Sequence, residues 1–280
     1  MPDRIAVVAP GAMGSGIARV LTSNGAEVPT LLAERSEASR TRAEQAGMRD
    51  ATEAELVGAE LILSIVPPAV AKQLAERLSE PLRGAARKPV FVDCNALDVR
   101  TVRAVGEVIA GAGAPFVDGG IIGGPPKPGA EGPTLYLSGD EADRVAQMLR
   151  RFGVKARAIA GGVGAASALK MSYAGINKGM TAIAAAMILG ATRAGAAEAL
   201  LAELRETQPQ LVARFARGLP DMIPKAYRWV AEMREIAAFL DGDPAGAAMF
   251  EGAAELYERI AQAEGGEVTT LKEFARALAE

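Results

Sequence analysis

Histidine is absent from this 280-residue chain, and cysteine occurs once, at Cys94. Those two facts remove the commonest general base and the commonest metal ligand, and with them any thiolate–imidazole zinc site. No metal is expected. A proton moved by a side chain has to come from Lys, Tyr, Cys, Asp or Glu. Lys170 is the leading candidate, because the stretch "AASALKMSYAGI" around it is apolar. Burial there favours the neutral amine and lowers its pKa towards a range useful for proton exchange. Tyr173, at i+3, faces the same way on a helix, where its hydroxyl can donate to a substrate or relay a proton.

A second chemical signal lies in "RIAVVAPGAMGSGIARVL", Arg4 to Leu21. A dinucleotide site wants Gly-x-Gly-x-x-Gly directly after a strand. Here Ala9 stands in the first place, and Gly11 and Gly14 hold the second and third, with Pro10, Ala12 and Met13 between and before them. Pro10 pushes Ala9 towards extended geometry, so the turn can be made by proline. The following helix would aim free N–H groups and its positive dipole end at a phosphate. The alternative is an ordinary glycine-rich strand–helix corner. The second strand ends at "LLAERSEASR", where Glu34 and Arg35 compete. An acid there suits the ribose of NAD; Arg35 and Ser36, with Arg40 one turn on, suit the 2′-phosphate of NADP. NADP(H) is therefore expected over NAD(H), with NAD(H) use possible. In a loop rich in Gly and Pro, the backbone amides of Gly123 and Gly124 are candidates to hold a substrate oxyanion, with Lys127 adding charge. Arg228, Trp229 and Glu232 form one helical patch that is a candidate pocket wall.

The elements that would hold these residues alternate over the first half of the chain. Apolar runs at Ile5–Ala9, Val28–Leu32, Leu61–Val66, Val90–Val92 and Phe116–Val117 read as strands. "PTLYLSG" and "VKARAIA" add two more around a helix at Glu141–Phe152. Helical composition fills Ser36–Ala46, Ala69–Leu78 and Val99–Ile109 between them. This alternation predicts an α/β domain with a Rossmann-type, doubly wound parallel sheet. The character changes at Gly161-Gly162. Val163 to about Thr192 forms one long proline-free segment, apolar all round and so expected to be buried. Helical patterns then run to the C-terminus, broken at Pro209, Pro220, Pro224 and Pro244. The expected division is residues 1–162, a dinucleotide-binding domain, and 163–280, a helical substrate-binding and dimerisation domain, joined by a long interdomain helix. The active site is expected in the cleft between them.

Half of the residues are hydrophobic and the net charge is −3. That balance gives no reason to expect nucleic acid or an anionic membrane as partner. No apolar run reaches about 18 residues without a charge, and the N-terminus lacks a signal pattern. One cysteine fits a reducing cytoplasm. The long apolar helix needs more cover than a helical domain of about 120 residues supplies, which predicts a homodimer.

With those residues in view, the chain resembles the β-hydroxyacid dehydrogenase superfamily, which includes 3-hydroxyisobutyrate dehydrogenase, 6-phosphogluconate dehydrogenase and the imine reductases. "GAMGSGIARVL" resembles its cofactor turn. "LSIVPP" resembles its fourth-strand loop, with Val66, Pro67 and Pro68, and "VDCNA" the loop with Asn95 that flanks the nicotinamide. "DGGIIGGPPKPGAEGPTLYLSG" resembles the substrate-binding loop, and "GVGAASALKMSYAGINKG" the interdomain helix, where Lys170 matches the catalytic lysine. The resemblance implies an NAD(P)-dependent oxidoreductase of small hydroxyacids. Two positions depart from the pattern. Ile122 stands where 3-hydroxyisobutyrate dehydrogenase has the serine of a Ser-Gly-Gly, and Ala174 where the family has an asparagine. Asn177, two turns after Lys170, is the candidate replacement for that amide. An imine reductase of the same fold, whose branch often lacks the lysine, and a non-catalytic NADPH sensor are the rival readings.

Overall fold

The computed structural model describes residues 3–126, 129, 131–263 and 266–280. Cα packing divides the chain into two compact units, Met1–Lys170 and Met171–Glu280. The expected division at residue 162 falls two helical turns earlier. Those turns belong to the first unit because Ala166, Ser167 and Lys170 pack against a strand of its sheet.

The first unit is a layered α/β structure. Its strands are β1 (Ile5–Val8), β2 (Pro29–Thr30), β3 (Arg49–Asp50), β4 (Leu61–Ser64), β5 (Val90–Asp93), β6 (Phe116–Ile122), β7 (Thr134–Ser138) and β8 (Ala156–Ala158). Between them run α1 (Ala12–Ser23), α2 (Glu37–Gln45), α3 (Glu53–Leu56), α4 (Pro68–Gly84), α5 (Val99–Gly111) and α6 (Ala142–Arg151). The main sheet has the order β1-β4-β5-β6-β7-β8, parallel except where β7 runs against β6. β2 and β3 form a separate parallel pair. Backbone bonds from Ile5 N to Glu27 O (3.0 Å) and from Glu27 N to Asp3 O (3.1 Å) lay the chain before β2 alongside β1. β1, β4 and β5 are buried along their whole length, as strands covered on both faces must be, which is why they read as unbroken apolar runs. The expected second strand, Val28–Leu32, shortens to Pro29–Thr30, since Leu32 N turns away to bond the Asp50 carboxylate.

One detail of register positions the chemistry. Ser64 of β4 pairs with Asp93 of β5, Asp93 with Asp118 of β6, and Asp118 with Ser138 of β7. Paired residues point to the same face of a sheet, so four polar side chains stand in one row. All four are buried. The row crosses the carboxyl ends of β4 and β5, the edge where open α/β sheets bind ligands.

α7 (Ala165–Arg193) starts in the first unit and continues into the second, which is wholly helical: α8 (Ala197–Thr207), α9 (Pro209–Met222), a 3₁₀ turn at Ile223–Lys225, α10 (Ala226–Phe239), α11 (Pro244–Gln262) and α12 (Gly266–Ala279). α10 packs on α11, and α9 on α12. Pro209 and Pro244 open helices as first-turn prolines, and Pro224 sits in the 3₁₀ turn. Pro220 does not break a helix as expected: it lies inside α9, close to its end. α7 also departs from expectation. Met171, Ala182, Ala185, Ile188 and Leu189 are buried, but Tyr173, Ile176, Ile183 and Met187 are more than half exposed. Their spacing of three, seven and four places them on one stripe. Among the described residues α7 is also the one helix with the length and apolar composition of a membrane span.

Candidate active site

The glycine-rich turn is built as an anion cradle. Gly11 N donates to Ala9 O (2.9 Å), closing the turn, and Gly11 precedes the first residue of α1. α1 has no side-chain cap and no acidic residue in its first turn. The amides of Ala12, Met13 and Gly14 have no partner among the described residues. Unmatched amides at a helix start are what a phosphate would satisfy. A Cβ on Gly11 would meet nothing within 4 Å, so the open space there suits a bound group and no packing fills it. Gly14 is different: a Cβ there would collide with the Ala9 carbonyl, so this glycine lets the helix sit on its strand. Pro10 is buried beneath the turn.

α2 packs on α1, and basic residues lie just before it and along it. Arg35 and Arg40 are exposed, and Ser36, at the N-cap position of α2, donates its hydroxyl to Ser39 Oγ (3.1 Å). Arg40 Nε donates to Arg35 O (3.3 Å). Arg42, not singled out from the sequence, donates from Nε to Pro10 O (3.1 Å) and from Nη2 to Ser39 Oγ (2.9 Å). It ties α2 to the turn and brings its guanidinium there. Glu34 has a left-handed backbone (φ +60°) and is exposed. Uncapped amides, open space and a guanidinium tied to the turn fit a dinucleotide carrying phosphates.

The row at the strand ends holds Lys170. Asp118 accepts four hydrogen bonds: from Gly164 N (2.9 Å), Ser167 N (3.0 Å), Ser167 Oγ (2.6 Å) and Ser138 Oγ (3.1 Å). Ala166 N donates to Ser138 Oγ (3.0 Å). The first amides of α7 are thus capped by side chains of β6 and β7, a carboxylate sitting where the helix dipole favours it. Gly120 completes the anchor, since a Cβ there would come within 2.6 Å of Ala166 O and 3.3 Å of Lys170 Cβ. Seated this way, Lys170 is half-buried and donates from Nζ to Asn95 O (3.3 Å). It has no carboxylate ion pair among the described residues. Burial lowers its ammonium below the usual lysine range, against the opposing pull of Cys94, Asp93 and Asp118.

Asn95 is the hub between Lys170 and the fourth-strand loop. Its backbone N and Nδ2 both donate to Asp93, at 2.9 and 2.8 Å. Nδ2 also donates to Ser64 Oγ (2.9 Å), and Oδ1 accepts Val66 N (2.6 Å). The side chain is buried and engaged in these bonds, and its backbone carbonyl accepts Lys170 Nζ. Val66 is buried, Pro67 and Pro68 are exposed, and Pro68 opens α4. Burial raises the Asp93 carboxyl to about 6, although its bonds from Asn95 act the other way. Burial also pushes the Cys94 thiol well above its ordinary range, so Cys94 is no nucleophile at neutral pH.

The expected substrate segment is partly strand. Ile122 ends β6, paired with Thr134, and only from Gly123 does the chain become a loop. Gly123 has φ +121° and a Cβ there would lie 2.9 Å from Pro133 Cα, so glycine is required. Gly124 is exposed with open space around it, and Pro126 packs on Gly16 of α1. Lys127 lies outside the described residues. A cavity of about 470 Å³ under this loop, lined by Ile17, Val20, Ile121 and Leu135, contains none of the residues singled out for chemistry.

The remaining candidates lie in the helical unit, where the structure engages most of them in other contacts. Asn177 Oδ1 accepts from Arg214 Nη2 (2.7 Å) and its Nδ2 donates to Tyr173 O (2.7 Å), so both ends of the amide are used within that unit. Glu232 is ion-paired with Lys178, whose ammonium lies 5.3 Å from the centre of the Trp229 ring. Trp229 meets Tyr257 edge-on at 5.3 Å. Trp229 and Glu232 are therefore parts of a packed cluster; Arg228 is exposed, over Tyr227. Tyr173 is exposed on α7.

Sequence reading missed Asp93, Asp118, Ser64, Ser138, Ser167 and Arg42. A signal existed for four of them. "LILS", "VFVD", "FVD" and "TLYLS" each carry an apolar run to a polar last residue, and those residues form the row.

Residues 4–161, more than half of the chain, match the family described as the NAD binding domain of 6-phosphogluconate dehydrogenase. Residues 191–260 match a domain of unknown function, DUF1932. No curated protein is similar enough in sequence to count as a relative. Among solved structures, a conserved hypothetical protein from Sinorhizobium meliloti 1021 superposes with a TM-score of 0.80 at 26% identity, covering 98% of this chain and 97% of its own. The conserved protein MTH1747, of unknown function and described as similar to 3-hydroxyacid dehydrogenases, gives 0.76 at 26%, covering 92% and 96%. A Mycobacterium tuberculosis 3-hydroxyisobutyrate dehydrogenase with L-serine gives 0.71 at 16%, covering 98% and 99%, a likeness of fold.

Proposed function

The chain belongs to the family defined by the NAD binding domain of 6-phosphogluconate dehydrogenase, within the β-hydroxyacid dehydrogenase superfamily, and on that premise we propose that it is an NADP(H)-dependent oxidoreductase of a small polar hydroxyacid. The observation that carries this reading is Lys170: a half-buried amine with no ion pair among the described residues, held on a backbone carbonyl beside the carboxyl ends of the central strands. The amides of Ala12, Met13 and Gly14 would hold the dinucleotide's phosphates, with Arg35, Ser36 and Arg40 at the 2′-phosphate. When bound, the cofactor supplies or accepts the hydride. The chain's own part is positional and protonic. In oxidation, Lys170 Nζ takes the hydroxyl proton as the carbon loses hydride and a carbonyl forms; in reduction it returns that proton to the oxygen. The amides of Gly123 and Gly124 would orient an anionic group of the substrate. A panel of hydroxyacids, oxoacids and cyclic imines, followed by NADPH absorbance, tests the reading. Turnover of hydroxyacids supports it, and turnover of imines alone would assign imine reduction instead.

The NADP preference rests on Arg35, Ser36 and Arg40. A charge-assisted contact of this kind is worth about 1.5–3 kcal/mol, or roughly ten- to a hundredfold in affinity. Arg35→Ala is expected to shrink the ratio of NADPH to NADH affinity and leave NADH binding almost unchanged. Tighter binding of NADH by the wild type would instead make Glu34 the reader of that strand end.

We also propose a homodimer. The exposed stripe of Tyr173, Ile176, Ile183 and Met187 supports it, because a contiguous apolar face of this kind marks an interface. Sedimentation at micromolar concentration is expected to return twice the chain mass, and a monomer would refute the proposal.

A further inference from the structure

We infer that Asp93 is a positioning residue for Lys170, acting through Asn95 to set both the place and the proton affinity of the amine. This rests on the reading of Lys170 as the proton-exchanging group. Asp93 is 1% exposed, and its two oxygens take the backbone N–H and the side-chain N–H of the same residue two positions on. That double grip fixes the turn after β5, and with it the direction of the Asn95 carbonyl. The same carbonyl is the acceptor for Lys170 Nζ at 3.3 Å.

A neutral residue would suffice if only the turn were needed, since serine or asparagine closes such turns without burying a charge. The register explains why a carboxylate stands there. Asp93 lies directly beside Asp118, and the titratable groups facing Lys170 are Asp93 and Cys94 from β5 and Asp118 from β6. Tyr173 follows one turn along α7. Asp118 is spent on the amides and hydroxyls at the start of α7, and Cys94 stays a thiol. Asp118 stays an anion in those bonds, so both carboxylates oppose the desolvation of the amine; Asp93 is the one that also grips Asn95, the residue whose carbonyl holds Lys170 Nζ. The Asn95 side chain extends the same grip to Ser64 and Val66, so the loop after β4 moves with the lysine.

The test uses the full chain and needs no substrate. Lys170 is labelled competitively with trace acetic anhydride from pH 6 to 11, and its reactivity is read by mass spectrometry. In Asp93→Asn the midpoint is expected to fall by about one pH unit or more, because a nearby negative charge has been removed. Asp93→Ser, neutral and smaller, is expected to move the midpoint the same way. A folded variant in which the midpoint stays put, whatever its melting temperature, would make Asp93 a structural residue only and overturn the inference. Stability tells the two apart by sign. An acid whose pKa rises from 3.8 to about 6 on folding favours the folded state fully below 3.8 and loses that contribution as pH rises through 6. Wild-type stability therefore falls across this window, and Asp93→Asn is expected to abolish the fall, so the variant should fold at the alkaline pH of the labelling. Failure of this inference is separable from failure of the proposed function. An unmoved midpoint with an inactive Lys170→Met sinks only the role of Asp93, whereas an active Lys170→Met sinks the role of Lys170.

Discussion

Lys170 and Lys178 lie on one helix, eight residues apart, and the surroundings give them opposite roles. Lys170 stands at the start of α7, where Asp118, Ser138 and Gly120 seat the first turns against the sheet. It bonds a carbonyl and, among the described residues, no carboxylate, and burial lowers its proton affinity. Lys178 is ion-paired with Glu232 and lies over Trp229, its charge matched and its stem packed. The difference teaches that an apolar helix around a lysine does not make it chemical. What matters is whether a fixed acceptor holds the amine without neutralising it. Buried polar residues of the first unit supply such a frame; the second unit pairs Lys178 with Glu232 and turns a stripe of apolar residues outward.

The sharpest way to break this comparison is to keep the charge of Lys170 and remove its acid–base function. Lys170→Arg retains a cation of similar length, but a guanidinium stays protonated and cannot act as a base. Turnover is expected to fall by about 10²–10⁴-fold, the usual contribution of a positioned acid or base. If Lys170→Arg turns over normally, charge alone is what the site needs. Next in size is Gly120→Ala. The added methyl would meet Ala166 O at 2.6 Å and crowd Lys170 Cβ, so the first turns of α7 must lift from β6. Overpacking of this kind costs about 1–3 kcal/mol, and turnover should fall with it. A variant with unchanged melting and rate would show that the seat of α7 is loose. The smallest effect is expected for Lys178→Met. Loss of this partly exposed ion pair, with Lys178 at 19% and Glu232 at 44% exposure, is expected to lower stability by about 1 kcal/mol, with the rate of hydride transfer unchanged. A large loss of rate there would erase the contrast between the two lysines.

Much of this was legible in the sequence. Strands covered on both faces read as unbroken apolar runs, so the sheet followed from "IAVV", "LILS" and "VFVD". Gly11, Gly14 and Lys170 stood out because glycine and a lone lysine in apolar surroundings are locally unusual. The polar row was not seen, because each member is one polar residue at the end of a run and only strand register aligns them. Asn177, Trp229 and Glu232 show the converse. Their spacing on a helix is correct, but Arg214, Tyr257 and Lys178, which engage them, come from elsewhere in the chain or from another helix. The exposed face of α7 was missed because residue-type periodicity reports apolarity, not what covers it.

The most direct test of the account is single-turnover hydride transfer by Lys170→Met, with NADP(H) and the substrate that the panel identifies. In the wild type, the rate of oxidation should rise with pH as the Lys170 ammonium loses its proton. The midpoint should lie below the ordinary lysine range, because burial disfavours the charged amine. In Lys170→Met that limb should vanish and the rate fall by about 10²–10⁴-fold, while NADPH affinity changes little because the phosphate cradle is at α1. Transfer at the wild-type rate across neutral pH would contradict the account and remove Lys170 from the mechanism.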